Sequence, residues 1–270
     1  MAPSAPEKAA PVRPAGDADA INLTQTPPAV QKTVQANIGN GKVTSISKID
    51  GNGVTSYEVN YLKGTQTRYL HVSEDGALLS IELAPAETPP AVQKSIRAHL
   101  GISELGAIEK TFDGDEISYV VYITTKDGRE SQFTIGENGD LLEMEIALGQ
   151  APAPVQKTVA EQMGTGRLTT LTKIIGDEIT YEAYFTKDGK DGGVIVASNG
   201  ALLSVEIALE ETGPAQKAIL EKVGNGRILL VWKSFEKREN ILPFKVVSVK
   251  DGKSFNFSVS PDGRFLGVDE

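Results

Sequence analysis

The chain has 270 residues, with 27 Lys or Arg against 36 Asp or Glu, a formal net charge of −9, and a hydrophobic content of 40%. An acidic balance excludes general nucleic-acid binding, which needs a basic footprint to neutralise phosphate, and no uninterrupted apolar run approaches the roughly 18 residues of a membrane span. Cysteine is absent and the two histidines are His71 and His99, so disulfides, thiolate metal sites and thiol nucleophiles are excluded, and little is left for a histidine metal centre.

Residues 1–26 are rich in Ala and Pro and carry no periodic apolar stripe. They read as a disordered lead-in. They contain no signal-peptide apolar core. Their composition resembles the tether that follows a bacterial export signal. The expectation is a periplasmic or secreted bacterial protein whose signal peptide is absent from this sequence; a native cytoplasmic start is the alternative.

From residue 27 the chain repeats itself. PPAVQKTVQANIGNG (27–41) returns as PPAVQKSIRAHLGIS (89–103), as PAPVQKTVAEQMGTG (152–166) and, more weakly, as GPAQKAILEKVGNG (213–226). Three anchors keep one period: Gln31, Gln93, Gln156 and Gln216; Tyr57, Tyr119, Tyr181 and Phe244; and the turns at Asp75-Gly76, Asn138-Gly139, Asn199-Gly200 and Asp262-Gly263. The recurrence divides the chain into four units, 27–88, 89–151, 152–212 and 213–270.

Each unit opens with a helix. Proline stands in its first turn (Pro28, Pro90, Pro154, Pro214), where a missing N–H costs nothing. Val30, Val34 and Ile38, Val92, Ile96 and Leu100, and Val155, Val159 and Met163 form one apolar stripe per helix. Gly39, Gly101, Gly164 and Gly224 close the helices and are expected as left-handed C-caps. Strands with period two follow. Asx-Gly hairpin turns precede the last strand of each unit, with Leu79, Ile81 and Leu83, Leu142, Met144 and Ile146, and Leu203, Val205 and Ile207 facing the core. Lys126-Asp127-Gly128, Lys187-Asp188-Gly189 and Lys250-Asp251-Gly252 mark a second hairpin. The expected fold class is α+β: four tandem repeats, each one helix packed on a four-stranded antiparallel meander.

P-x-V-Q-K, a strand lysine (Lys48, Lys110, Lys173, Lys233), Tyr-x-Val and Asx-Gly-x-Leu-Leu together resemble the PepSY-like domains, over residues 27–270. Relatives of that family include beta-lactamase-inhibitor-like proteins. The resemblance implies an exported bacterial protein that binds or inhibits another protein, often an enzyme. It implies no common catalytic residues. The fourth unit departs from the pattern, with Phe244 in place of tyrosine.

No motif assigns a catalytic or metal-binding residue. The Gly-x-Gly strings follow helices, whereas a phosphate loop precedes one. The acidic turns at 113–116 and 188–191 do not match calcium-loop spacing and read as hairpin turns. Glu143, Glu145 and Glu206 alternate outward and read as a solvated face. The repeated helix lysines read as snorkelling or ion-paired. No cofactor is implied.

The informative surface is the sheet face away from the helices. With Tyr57, Tyr119 and Tyr181 inward, parity puts Tyr122, Tyr184, Tyr69, His71, Leu230 and Trp232 on the open face. Antiparallel sheets are commonly wet there, so large aromatics call for a cause. Tyr and Trp are enriched at interface hot spots; packing within the protein is the competing explanation. Trp232 is either a partner anchor or a cover for the open sheet. The sequence therefore points to a non-enzymatic binding protein that engages a protein partner, such as an extracytoplasmic enzyme, through these six residues. The alternative is an envelope sensor that holds a small molecule or peptide in a cleft between units.

Overall fold

The computed structural model describes residues 21–51, 54–236, 241–250 and 253–269. The fold is α+β. Among the described residues there are four α-helices and sixteen strands, antiparallel and hydrogen-bonded in chain order. The chain divides into two compact units, one ending at Leu142 and one beginning at Glu143; each is described by itself.

In the first unit, α1 (Pro28–Ile38) precedes β1 (Lys42–Gly51), β2 (Val54–Lys63), β3 (Gln66–Ser73) and β4 (Leu78–Leu83). Then α2 (Pro90–Leu100) precedes β5 (Glu104–Asp113), β6 (Glu116–Thr124) and β7 (Glu130–Gly136). Val30, Val34 and Ile38 of α1 form one buried cluster with Ile46, Tyr57, Val59, Tyr61, Leu70 and Val72. Val92 and Ile96 of α2 are buried, and the helix packs on β6 and β7. β4 pairs with β5, Glu82 standing opposite Glu109 and Ser80 opposite Thr111.

β8 (Leu141–Glu145) straddles the division between the units. The second contains α3 (Ala153–Met163), β9 (Arg167–Ile175), β10 (Ile179–Lys187), β11 (Lys190–Ala197) and β12 (Leu202–Glu206). It continues with α4 (Ala215–Val223), β13 (Arg227–Ser234), β14 (Phe244–Lys250), β15 (Lys253–Val259) and β16 (Phe265–Asp269). Val155 and Val159 pack with Leu171, Tyr181, Ala183, Phe185, Val194 and Val196. Ala215, Ile219 and Val223 pack with Val231, Phe244, Val246, Phe257 and Val259. The apolar helix stripes bury because each lies across strands whose alternate residues are also apolar.

The recurring sequence anchors have structural work. Gln31, Gln93 and Gln156 donate from Nε2 to the carbonyls of Thr26, Thr88 and Ala151 at 2.8, 2.8 and 2.7 Å. These bonds tie each helix to the chain that enters it. The entering chain is a short 3-10 turn, and the N–H of the residue just before it (Asn22, Ala84, Ala147 or Ala208) donates to the side chain of Gln25, Glu87, Gln150 or Glu211. Gly76 and Gly200 sit at φ +90° and +87°, and a Cβ on either would lie 2.7 Å from Ala29 or Pro154. The Asx-Gly turns thus close against the first turn of a helix, and Thr33 and Thr158 donate to the carbonyls of Gly76 and Gly200.

Three sequence expectations change. The helix-closing glycines have φ of +57° to +63° but ψ near −120°, a mirror-extended conformation and not the left-handed helical one, and still one suited to glycine. Leu79 and Leu203 do not face the core: bulges at β3–β4 and β11–β12 pair Val72 with Leu78 and Val196 with Leu202. Leu78 and Leu202 pack inward instead, because one extra residue reverses the alternation. Of the lead-in expected at 1–26, residues 1–20 lie outside the described residues. The last six are ordered: Leu23–Gln25 form a 3-10 turn, and the Ile21 N–H donates to the Ile46 carbonyl at 3.2 Å. The second-hairpin residues Asp251 and Gly252 also lie outside the described residues.

Candidate functional site

Two polar–aromatic clusters stand on sheet faces turned away from the helices, one in each unit. In the first unit Leu70 and Val72 of β3 are core residues, so Tyr69 and His71 between and beside them face the other way. The same alternation puts Tyr122, next to buried Val121, and Ser80, next to core-packed Ile81, on that face.

The side chains there meet. Tyr69 and His71 have ring centroids 5.5 Å apart. His71 Nε2 lies 3.3 Å from Glu58 Oε2, and His71 Nδ1 lies 3.9 Å from Glu109 Oε1. The Tyr122 hydroxyl donates to Glu109 Oε2 at 2.9 Å. Glu109 is 8% exposed, so its carboxylate is a buried post for the aromatic residues around it. Burial pushes both phenols up, and the Glu109 carboxylate pushes them further. The hydrogen bond from His71 holds Glu58 below the usual carboxylate range against partial burial.

Beside this cluster an open cleft of about 320 Å³ is lined by Arg68, Glu82, Leu83 and Gly106 among others. Arg68 is committed to Glu87, and Lys63 reaches the same carboxylate at 2.9 Å. Burial raises Glu87, but the bonds from Lys63, the Ala84 N–H and Arg68 outweigh it and hold the group at about 2.

The second unit has a different cluster. Glu182, between core residues Tyr181 and Ala183, is 2% exposed and accepts the Tyr184 hydroxyl at 2.8 Å. Tyr184 meets Trp232 edge-on, ring centroids 6.3 Å apart. Trp232 stands opposite Glu206 on β12 and is 3% exposed. Room for the indole comes from Gly193, where a Cβ would lie 2.8 Å from Trp232 Cη2 and 3.1 Å from Glu206 Oε2. Burial raises the Glu182 carboxyl to about 7; the Tyr184 bond opposes this and the Glu143 and Glu206 charges add to it.

The sequence-derived set therefore falls in two groups. Tyr69, His71 and Tyr122 come together around Glu109, and Tyr184 and Trp232 come together around Glu182 and Glu206. Leu230 lies two residues before Trp232 on the same face, half-buried and paired with Val247. Of the two roles open to Trp232, its burial matches the cover of the sheet. Sequence reasoning missed Glu58, Ser80, Glu82, Glu109, Glu182 and Gly193. Register could have found Glu109, since strand pairing puts it opposite Glu82; no local signal marks Glu182 as buried. Among the described residues no cluster of His, Asp and Glu suits a metal ion, and no helix is long and apolar enough to cross a membrane.

No family model matches the chain, and no curated protein matches it. Solved structures do. A DUF2874 family protein from Bacteroides ovatus is 18% identical with a TM-score of 0.34, covering 43% of this chain and 84% of its own. A DUF2874 family protein from Bacteroides vulgatus, provisionally described as periplasmic, is 13% identical at 0.32, covering 47% and 97%. A BLIP-like protein from Bacteroides fragilis is 17% identical at 0.31, covering 43% and 83%. These likenesses are weak, and the PepSY-like character of the chain rests on its sequence motifs.

Proposed function

We propose that the chain is an exported, non-enzymatic binding protein of four tandem helix-on-meander repeats, 27–88, 89–151, 152–212 and 213–270, preceded by a lead-in. It engages a protein partner through the open sheet face. The observation that carries this reading is the cluster of Tyr69, His71 and Tyr122 around Glu109. These are large amphipathic side chains on an uncovered face, fixed by hydrogen bonds before any partner arrives. A ring already held in one rotamer loses little entropy on binding, and tyrosine is enriched at hot spots. In the second unit Tyr184 and Leu230 offer a contact surface of their own, with Trp232 packed edge-on against Tyr184. An extracytoplasmic enzyme is the partner class that the PepSY-like motifs imply. The second reading, a small molecule or peptide in a cleft, is favoured by the opening beside Arg68 and Glu82.

The test is capture from a bacterial cell-envelope extract with wild type and Tyr69→Ala as paired baits of matched far-UV circular dichroism. A partner retained by wild type and lost by the variant is expected. Equal retention by both would refute the surface assignment.

A further inference from the structure

Glu82 and Glu109 stand directly opposite each other on β4 and β5. Side chains so placed have Cβ atoms about 5 Å apart, and like charges there destabilise a sheet. Water does little to relieve the pair: Glu109 is 8% exposed and Glu82 is half-buried. The nearest cations also hold other acids, though the Arg68 charge still favours the ionised form of Glu82 and His71 Nδ1 lies 3.9 Å from Glu109. Arg68 is bound to Glu87, and His71 lies closer to Glu58 than to Glu109. The strand pattern does not demand two acids at this place. The corresponding pairs in the second unit are Glu145 with Thr172 and Glu206 with Trp232.

A second, independent observation lies in the same face. Ser80 is opposite His71 and two residues before Glu82, and it is 4% exposed. Its hydroxyl has no hydrogen-bond partner. A buried hydroxyl left unbonded costs stability. Here it belongs to the row that leads from His71 to Thr111, beside the two acids. Two tyrosine rings, Tyr69 and Tyr122, flank them. Paired carboxylates beside two tyrosine rings match a planar guanidinium better than a compact ammonium, because the fork can bond two carboxylates while its faces stack on aromatic rings.

We infer that the Glu82–Glu109 pair, with Tyr69, Tyr122 and Ser80, receives a guanidinium group, an arginine side chain presented by a protein partner. This rests on the open face being the binding surface and names the chemistry it selects. The incoming charge adds to the compensation that Arg68, the Tyr69 backbone and the Tyr122 hydroxyl already give the two carboxylates.

The probe is N-acetyl-arginine amide, titrated into the full chain and followed by backbone amide NMR. N-acetyl-citrulline amide has the same shape without the charge, and N-acetyl-lysine amide has the charge without the plane. Saturable shifts confined to β3–β6 are expected with the arginine probe, weaker ones with lysine and none with citrulline. Glu82→Gln should weaken the arginine probe by about tenfold, the scale of one lost charge-assisted bond, while its urea midpoint stays equal or rises as the like-charge repulsion disappears. Absent saturation with arginine, equal response to citrulline or lysine, or a lower midpoint for Glu82→Gln would each overturn the inference. The underlying surface reading is scored separately by the capture experiment. A partner lost by Tyr69→Ala but kept undiminished by Glu82→Gln overturns the arginine occupant alone. A partner kept by both overturns the surface as well.

Discussion

Glu182 makes the stability of the second unit depend on pH in a defined direction. Its carboxyl is 2% exposed and sits with Glu143 and Glu206 near enough for their charges to act on it. The folded protein holds the proton until about pH 7, whereas an unfolded chain releases it near the ordinary 4.5. A raised carboxyl leaves stability intact below the unfolded value and removes it as pH climbs through the folded one. The window is therefore pH 4.5 to about 7. At about 1.4 kcal/mol per pH unit, the loss across it is about 3 kcal/mol. Glu182→Gln keeps an acceptor for the Tyr184 hydroxyl and never ionises. Urea unfolding of wild type and variant near pH 5 and near pH 8 reads the effect. The two should be close at the lower pH, and the variant should be more stable by about 2–3 kcal/mol at the higher. Parallel profiles through the window would refute the reasoning, because they would mean that the carboxyl ionises equally in both states.

Glu87 should act in the opposite sense on the first unit: held at about 2, it contributes stability that is lost only as pH falls below the ordinary carboxylate range, and Glu87→Gln should flatten that acid limb of a thermal-melt profile. Trp232, 3% exposed, should emit blue-shifted fluorescence that iodide quenches poorly, and Trp232→Ala should cost about 3–5 kcal/mol by chemical denaturation; red-shifted, freely quenched emission would place the indole in water. Gly200→Ala brings a Cβ to 2.7 Å from Pro154 at a φ of +87°, so its melting temperature should fall by several degrees, a loss of more than about 1 kcal/mol. Gly149, where an added Cβ meets nothing, serves as the neutral control for the same substitution.

The helices, their apolar faces and the hairpin turns were legible in the sequence because each is decided locally. Val30, Val34 and Ile38 lie on one face at helical spacing whatever surrounds them, and Asx-Gly adopts its turn at little steric cost. Parity also separated Tyr57, Tyr119 and Tyr181, which are buried, from Tyr69, Tyr122 and Tyr184. What failed was decided between strands. The bulges that turn Leu78 and Leu202 inward in place of Leu79 and Leu203 arise from pairing with β3 and β11, and nothing in either leucine pair announces which one is core. Glu109 and Glu206 look like any outward acid on an alternating strand. That one faces Glu82 and the other Trp232 is a matter of register between segments far apart in the chain. The raised carboxyl of Glu182 likewise depends on burial and on the Glu143 and Glu206 charges, which neighbouring strands bring to it. Local spacing sets which face a side chain takes; only the pairing of strands sets what stands across from it, and the electrostatics of this protein lie in that second relation.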